Sequence, residues 1–454
     1  MRRMWIVLSM ITLILTPILA FAETDFSIEE EMSWEQFTLI EAQEPVIPRS
    51  PFVNNYSPEE DNDAQQGFQE WWLAKFAQQE TNVTYLAKIH SFTKNSARSI
   101  LSDNVGLNTL YSPINTWFYL ELLSNITEGN SRAQVLNLLG FDTESETFIE
   151  DGTLYKALYW DDGFSILRPS SSIWINQNTN FSDALLSKLS TSCHTSVFQG
   201  PMGEDVYNEA FRTWINKQTN DLLKEAVDDL GFDRETVISL CTSLYIRSLW
   251  SLPFNKDETY TDVFYSAGGE TTADYMRKEE GGAAVYHGEN FSSVIMDLQD
   301  GSYVTFVLPD SESNIENVLQ SDEFFDFLFS GIEWPIVKKG RIRISIPKAD
   351  ILSAISLEDI LTSMGTIDIF NSENVEYSKD IISADKLKLS SAEQYSRLIM
   401  NENGIEAASI IVSDSALFRI PNEEEIDFIL NRPFIFAVFS ETNIPLFIGE
   451  YNAP

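Results

Sequence analysis

The chain has 454 residues, 43% of them hydrophobic, with 30 Phe, 16 Tyr and 10 Trp, enough to build a large core. Against 30 Lys and Arg stand 69 Asp and Glu, a net charge of −39. A surface this acidic excludes nucleic acid and anionic membrane as natural partners, since both would repel it.

Residues 1–22, "MRRMWIVLSMITLILTPILAFA", have the form of a secretory signal. Arg2 and Arg3 give the charged start, Trp5 to Leu15 the apolar stretch, and Ala20-Phe21-Ala22 the small-x-small cleavage site. The apolar run is too short for a stable membrane span. The expected product is exported, extracellular or periplasmic, with no membrane partner. The two Cys, Cys193 and Cys241, are expected to remain unbridged, because a core of this size does not need a disulfide. That fits a bacterial exported protein. The Asn-x-Ser/Thr triplets at Asn82, Asn125 and Asn180 leave a eukaryotic source open.

Residues 23–80 form an acidic extension whose only bases are Arg49 and Lys75. "EPVIPRSP" and "SPEEDND" read as linker. Trp34, Phe37, Trp71 and Trp72 are too many aromatics for pure disorder, and they predict docking onto the body. From residue 81 to 454 the composition is that of one domain.

Along that domain, "NSRAQVLNLLG" predicts a helix stopped at Gly140. "NEAFRTWINKQTNDLLKEAV" keeps a helical period through Phe211, Trp214, Ile215, Leu222 and Leu223. "VISLCTSLYIRSLW" is an apolar run suited to a strand buried on both faces. "GRIRISIP" alternates as a half-buried strand. "NENGIEAASIIVSDSALFRIP" at 401–421 commits to neither period: Glu and Ala favour helix, Ile-Ile-Val favours strand. "RPFIFAVFS" and "IPLFIGEY" predict a C-terminal hairpin turned at "ETN". Helices and mostly antiparallel strands in separate blocks predict an α+β fold.

Nothing in the sequence carries catalytic chemistry. His90, His194 and His287 are far apart, and HExxH, CxxC, GxGxxG, GxSxG and Walker motifs are absent. The "EEE" runs at 29–31 and 423–425 read as solvated surface. No catalytic residue, metal or cofactor is expected.

Four stretches together resemble the serpin family. They are "LYSPINTWFYLELLSNITEGNSRAQVLNLLG" at 110–140, "LCTSLYIRSLWSLPF" at 240–254, "ENGIEAAS" at 402–409 and "NRPFIFAVFSETNIPLFIGEYNAP" at 431–454. The resemblance implies a serpin fold with three β-sheets, eight or nine helices and an exposed reactive-centre loop. It implies a one-shot inhibitor. A target serine protease, or for some members a cysteine protease, attacks the loop and forms a covalent acyl complex. The cut loop then enters the main sheet as a new central strand. A monomer is expected.

Carried onto this sequence, the resemblance makes Glu402, Gly404, Ile405, Glu406, Ala407, Ala408 and Ser409 the hinge. Small residues suit it, because alternate side chains of an entering strand pass into a packed core. Counting along the loop from Gly404 places the cut at Phe418–Arg419. A Phe before the bond suits a chymotrypsin-like or subtilisin-like pocket. A register one residue later makes Arg419 the specificity residue. The extra "NEEEID" lies beyond the cut.

Under the main sheet, Ser112, Asn115, Thr242 and Gln394 fall at the family's sheet-opening positions, and Trp250 at the top of the sheet. Thr242 and Gln394 stand where the family has Asn and His, and a hydrogen bond between them is expected to replace the usual one. Ile405 stands where inhibitors have Thr or Ser. That substitution keeps a second reading open, a non-inhibitory serpin acting as a carrier or chaperone-like protein.

Overall fold

The computed structural model describes residues 34–50, 62–79, 85–104, 106–141, 152–330, 333–371, 373–383, 392–405 and 424–454. The signal segment, Glu406–Ser409 and the Phe418–Arg419 bond lie outside them.

Three sheets and eleven α-helices are present among the described residues, an α+β fold. Nine helices remain when two are set aside: Asn62–Gln79 in the extension and the short Lys224–Val227.

The main sheet has the strand order Thr38–Ile40, Thr195–Gly200, Ile166–Asn176, Ile238–Leu249, Gly404–Ile405, Glu393–Asn401, Ala349–Ser356. Trp160–Asp161 pairs on the end of Ile166–Asn176. Nearly all neighbours are antiparallel, Ile166–Asn176 with Thr195–Gly200 being a parallel exception. The second sheet carries the C-terminal hairpin, with Phe434–Phe439 and Pro445–Tyr451 buried throughout. Val337–Pro347 lies toward its other end and pairs in parallel with Glu425–Ile429. A two-stranded sheet joins Thr179–Phe181 to Ile381–Ser383.

Helix Pro113–Ile126 sits beneath the main sheet with all of its residues buried. Its start is well specified. Pro113 presets the first turn, and the Ser112 hydroxyl accepts from the Asn115 amide at 3.3 Å. Asn125 is buried inside this helix, a closed position for a sugar. Helix Asp205–Gln218 covers the sheet from outside, packing Tyr207, Phe211 and Trp214 against Trp174 and Phe198. It ends earlier than its apolar period suggests. Asn220 and Asp221 take φ of 51° and 60°, which breaks the run before Lys224–Val227.

Neither cysteine forms a disulfide. No helix among the described residues is long and apolar enough to cross a membrane.

The acidic extension is built, not linker throughout. Trp34 and Phe37 pack against the cluster under helix Asp205–Gln218. Phe37 meets Tyr207 edge-on at 4.9 Å, and the Lys217 ammonium lies 5.0 Å over Trp34. Thr38–Ile40 adds a strand to the sheet edge. Trp71 packs on the main core, while Trp72, the fourth aromatic, stays 56% exposed. Of the "EEE" run at 423–425, Glu424 and Glu425 are described and exposed, and Glu424 meets Lys338 at 2.7 Å.

Candidate functional site

The site lies where the strands Ile238–Leu249 and Glu393–Asn401 would be neighbours. They run parallel, and Gly404–Ile405 stands between their upper ends, antiparallel to both. Gly404 pairs with Asn401 and Leu249, and Ile405 with Met400 and Ser248. Among the described residues no register joins the two flanking strands to each other. Ile405 is 1% exposed, so its apolar side chain is already within the core. Burial of an Ile is worth about 1.5–3 kcal/mol, which favours this placement. Gly404 is required by space: a Cβ there would lie 2.2 Å from the Ser248 carbonyl oxygen.

Beneath the slot, both flanking strands are tied to the start of helix Pro113–Ile126. On one side the Asn115 amide donates to the Thr242 carbonyl at 3.2 Å, and the Thr242 hydroxyl to the Asn115 carbonyl at 3.3 Å. On the other side the Gln394 amide oxygen accepts from the Ser112 backbone N–H at 2.8 Å. Its NH2 donates to the Ser112 carbonyl and the Thr116 hydroxyl at 2.9 and 3.1 Å. The expected Thr242–Gln394 bond is therefore replaced. Each residue serves its own strand, and the helix start joins the two.

Above the slot, Trp250 is fully buried. Its indole N–H donates to the Asn401 carbonyl and its backbone N–H to the Asn403 carbonyl, both at 2.9 Å. Glu402 is also buried, held by Lys348 at 2.7 Å and by the Thr259 hydroxyl at 2.8 Å. Burial pushes its carboxyl up. The Lys348 ammonium, the residue's own backbone N–H and the Thr259 hydroxyl outweigh that and hold it below the ordinary range. Lys348 and Thr259 were not legible as site residues, since neither is near Glu402 in sequence.

A carboxylate held low when folded adds stability that is complete above its unfolded pKa and is lost as pH falls through the folded value. Protection of the Gly404–Ile405 amides, taken relative to their intrinsic exchange rate, is therefore expected to fall as pH drops below 4.5, the ordinary Glu value. In Lys348→Met burial is no longer opposed, so the strand should be less protected already at neutral pH and its further loss on acidification should shrink or vanish. Identical pH profiles for the two proteins would show that this pair does not anchor the hinge.

The main sheet thus holds a two-residue strand between two longer ones, both tied to one buried helix. The chain belongs to the serpin family: the family model described as "Serpin (serine protease inhibitor)" matches residues 87–454. Relatives include alpha-1-antiproteinase of Rattus norvegicus, 24% identical, covering 83% of this chain and 92% of that protein. Alpha-1-antitrypsin of Meriones unguiculatus is 26% identical over 76% of this chain and 84% of its own. Among solved structures, the thermophilic serpin tengpin in the native state aligns with a TM-score of 0.72 at 21% identity, covering 82% of this chain and 95% of that one. Human thyroxine-binding globulin complexed with its hormone aligns at 0.71 and 21% identity, over 82% and 99%. Both show the same fold.

Proposed function

We propose that this chain is a secreted suicide-substrate inhibitor of a chymotrypsin-like or subtilisin-like serine protease. Residues 81–454 are the inhibitory body and residues 23–80 an extension carried on it. The protease serine oxygen attacks the Phe418 carbonyl carbon, an ester forms, and the Arg419 amine leaves with the cut C-terminal segment. Residues after Ile405 then continue down the slot, and the ester is displaced before water can cleave it. No cofactor takes part, and the inhibitor acts as a monomer.

The observation that carries this reading is Ile405 paired on both sides and buried between the two flanking strands. The start of the loop has the geometry of the strand it would become.

A second reading, a non-inhibitory carrier, is favoured by the bulk of Ile405 and by the fold shared with thyroxine-binding globulin, which is solved with bound hormone. Incubation with chymotrypsin, subtilisin and trypsin separates the two. An SDS-stable complex holding the N-terminal part of the cut chain is expected with chymotrypsin or subtilisin, and Phe418→Ala should abolish most of it. Clean cleavage with no complex would mean a carrier. Loss of the complex in Arg419→Ala alone would move the bond by one residue.

A further inference from the structure

Helix Asn62–Gln79 lays one face on the body. The Trp71 indole N–H donates to Asp162 at 2.7 Å, and the Gln78 amide donates to the Tyr159 carbonyl at 3.2 Å. Between them the Lys75 ammonium pairs with Glu441 at 3.2 Å and lies 4.7 Å over the Trp160 ring. Lys75 and Gln78 wall a cavity of about 20 Å³ that also holds Asp300, Ser302, Ser440 and Thr442. That is room for about one water.

Asp300 is buried, and every group that holds it is specific. It accepts from the Ser302 backbone N–H at 3.2 Å and its hydroxyl at 3.1 Å, and from the Ser248 hydroxyl at 2.8 Å. Burial drives its carboxyl up, and the Lys75 charge opposes that. The neighbouring turn is stitched to the same strand end: Gln299 N–H bonds the Leu249 carbonyl at 2.9 Å, and Trp250 bridges Leu298. Ser248 is the register partner of Ile405. One carboxylate thus lies between a base of the extension and the strand residue facing the hinge.

We propose that the extension helix is an in-cis ligand of the serpin body, and that Lys75 steadies the two-residue hinge strand through Asp300 and Ser248. A buried carboxylate deprived of the Lys75 charge either takes up a proton or draws in water. Either change weakens the acceptor that fixes Ser248. The strand end beside Gly404 and Ile405 then loses part of its anchorage, and the hinge leaves the sheet more often. The same helix could have docked by apolar contact alone. A lysine that pairs with Glu441 and lines the same cavity as Asp300 makes the docking electrostatic and connects it to the slot.

The test reads the hinge itself, so it holds whether or not the molecule traps a protease. Amide hydrogen exchange is followed on the full chain and on Lys75→Met, with Ser248→Ala as the second variant. Met keeps most of the packing volume of Lys, and Ser248 does not touch the helix. Both variants are expected to raise exchange in the peptide containing Gly404 and Ile405 by tenfold or more. Peptides from Phe434–Phe439 should exchange as before. Hinge exchange unchanged in Lys75→Met while its helix exchanges faster would overturn the proposal, since the helix would then be passive packing. A rise in Lys75→Met with none in Ser248→Ala would equally overturn it, by removing the Asp300–Ser248 route.

Discussion

Nicking the Phe418–Arg419 bond is expected to raise the melting temperature rather than lower it, by on the order of 10 °C. An ordinary nick adds chain freedom and destabilises. Here each residue that follows Ile405 into the slot gains partners on both sides, and each new hydrogen bond contributes about 0.5–1.5 kcal/mol net. Apolar side chains such as Ile410 add burial of about 1.5–3 kcal/mol each where they face the core. Together these outweigh the ordering cost of about 1–2 kcal/mol per residue. Because the unfolding entropy grows with chain length, a chain this long converts ~10 kcal/mol into a shift of on the order of 10 °C. Calorimetry on intact and nicked protein decides it. A nicked form that melts at or below the intact one would remove the stored energy on which the inhibitor reading depends.

The second large effect is expected from Ile405→Glu. This side chain is fully enclosed between the two flanking strands, and the backbone on either side is already paired. A carboxylate there has no base within its strand pairing, and an uncompensated buried charge costs about 3–5 kcal/mol. If entry passes through this position, the barrier to insertion rises by a similar amount, slowing it about 10²–10⁴-fold. The ester is then hydrolysed first. The variant should be cleaved at the same bond at the wild-type rate, with little or no SDS-stable complex. Ile405→Thr, smaller and uncharged, should keep the complex. Wild-type yields of complex from Ile405→Glu would show that the loop enters elsewhere.

The strands were the most legible part of the sequence. The run at 238–249 is a strand as expected but only partly covered, with five of its twelve residues buried and the rest half-buried, and the C-terminal hairpin is written in continuous aromatic and branched residues. The hinge was placed by the resemblance of "ENGIEAAS" to the family, since the segment by itself favours neither period. The ties beneath the slot could be named but not connected. Gln394 and Ser112 are far apart in sequence, and which strand each polar side chain serves depends on the depth of the helix below. The extension helix was hidden for a different reason. Trp71 and Lys75 face the body, while Phe68, Trp72 and Phe76 lie on its exposed side. Apolar residues on two faces cancel the one-sided pattern by which a surface helix is recognised.

Several of the few basic residues are spent at home. Lys348 on Glu402, Arg343 on Asp427, Lys338 on Glu424 and Lys75 on Glu441 are each neutralised by a neighbour. What reaches beyond the surface is the excess of carboxylates, an almost unopposed negative far field. Encounter kinetics should therefore sort proteases by their own net charge before any pocket reads Phe418. A cationic protease is drawn in and an anionic one held off. Because screening shortens that reach to about 8 Å at physiological ionic strength, added salt should narrow the difference in their association rates.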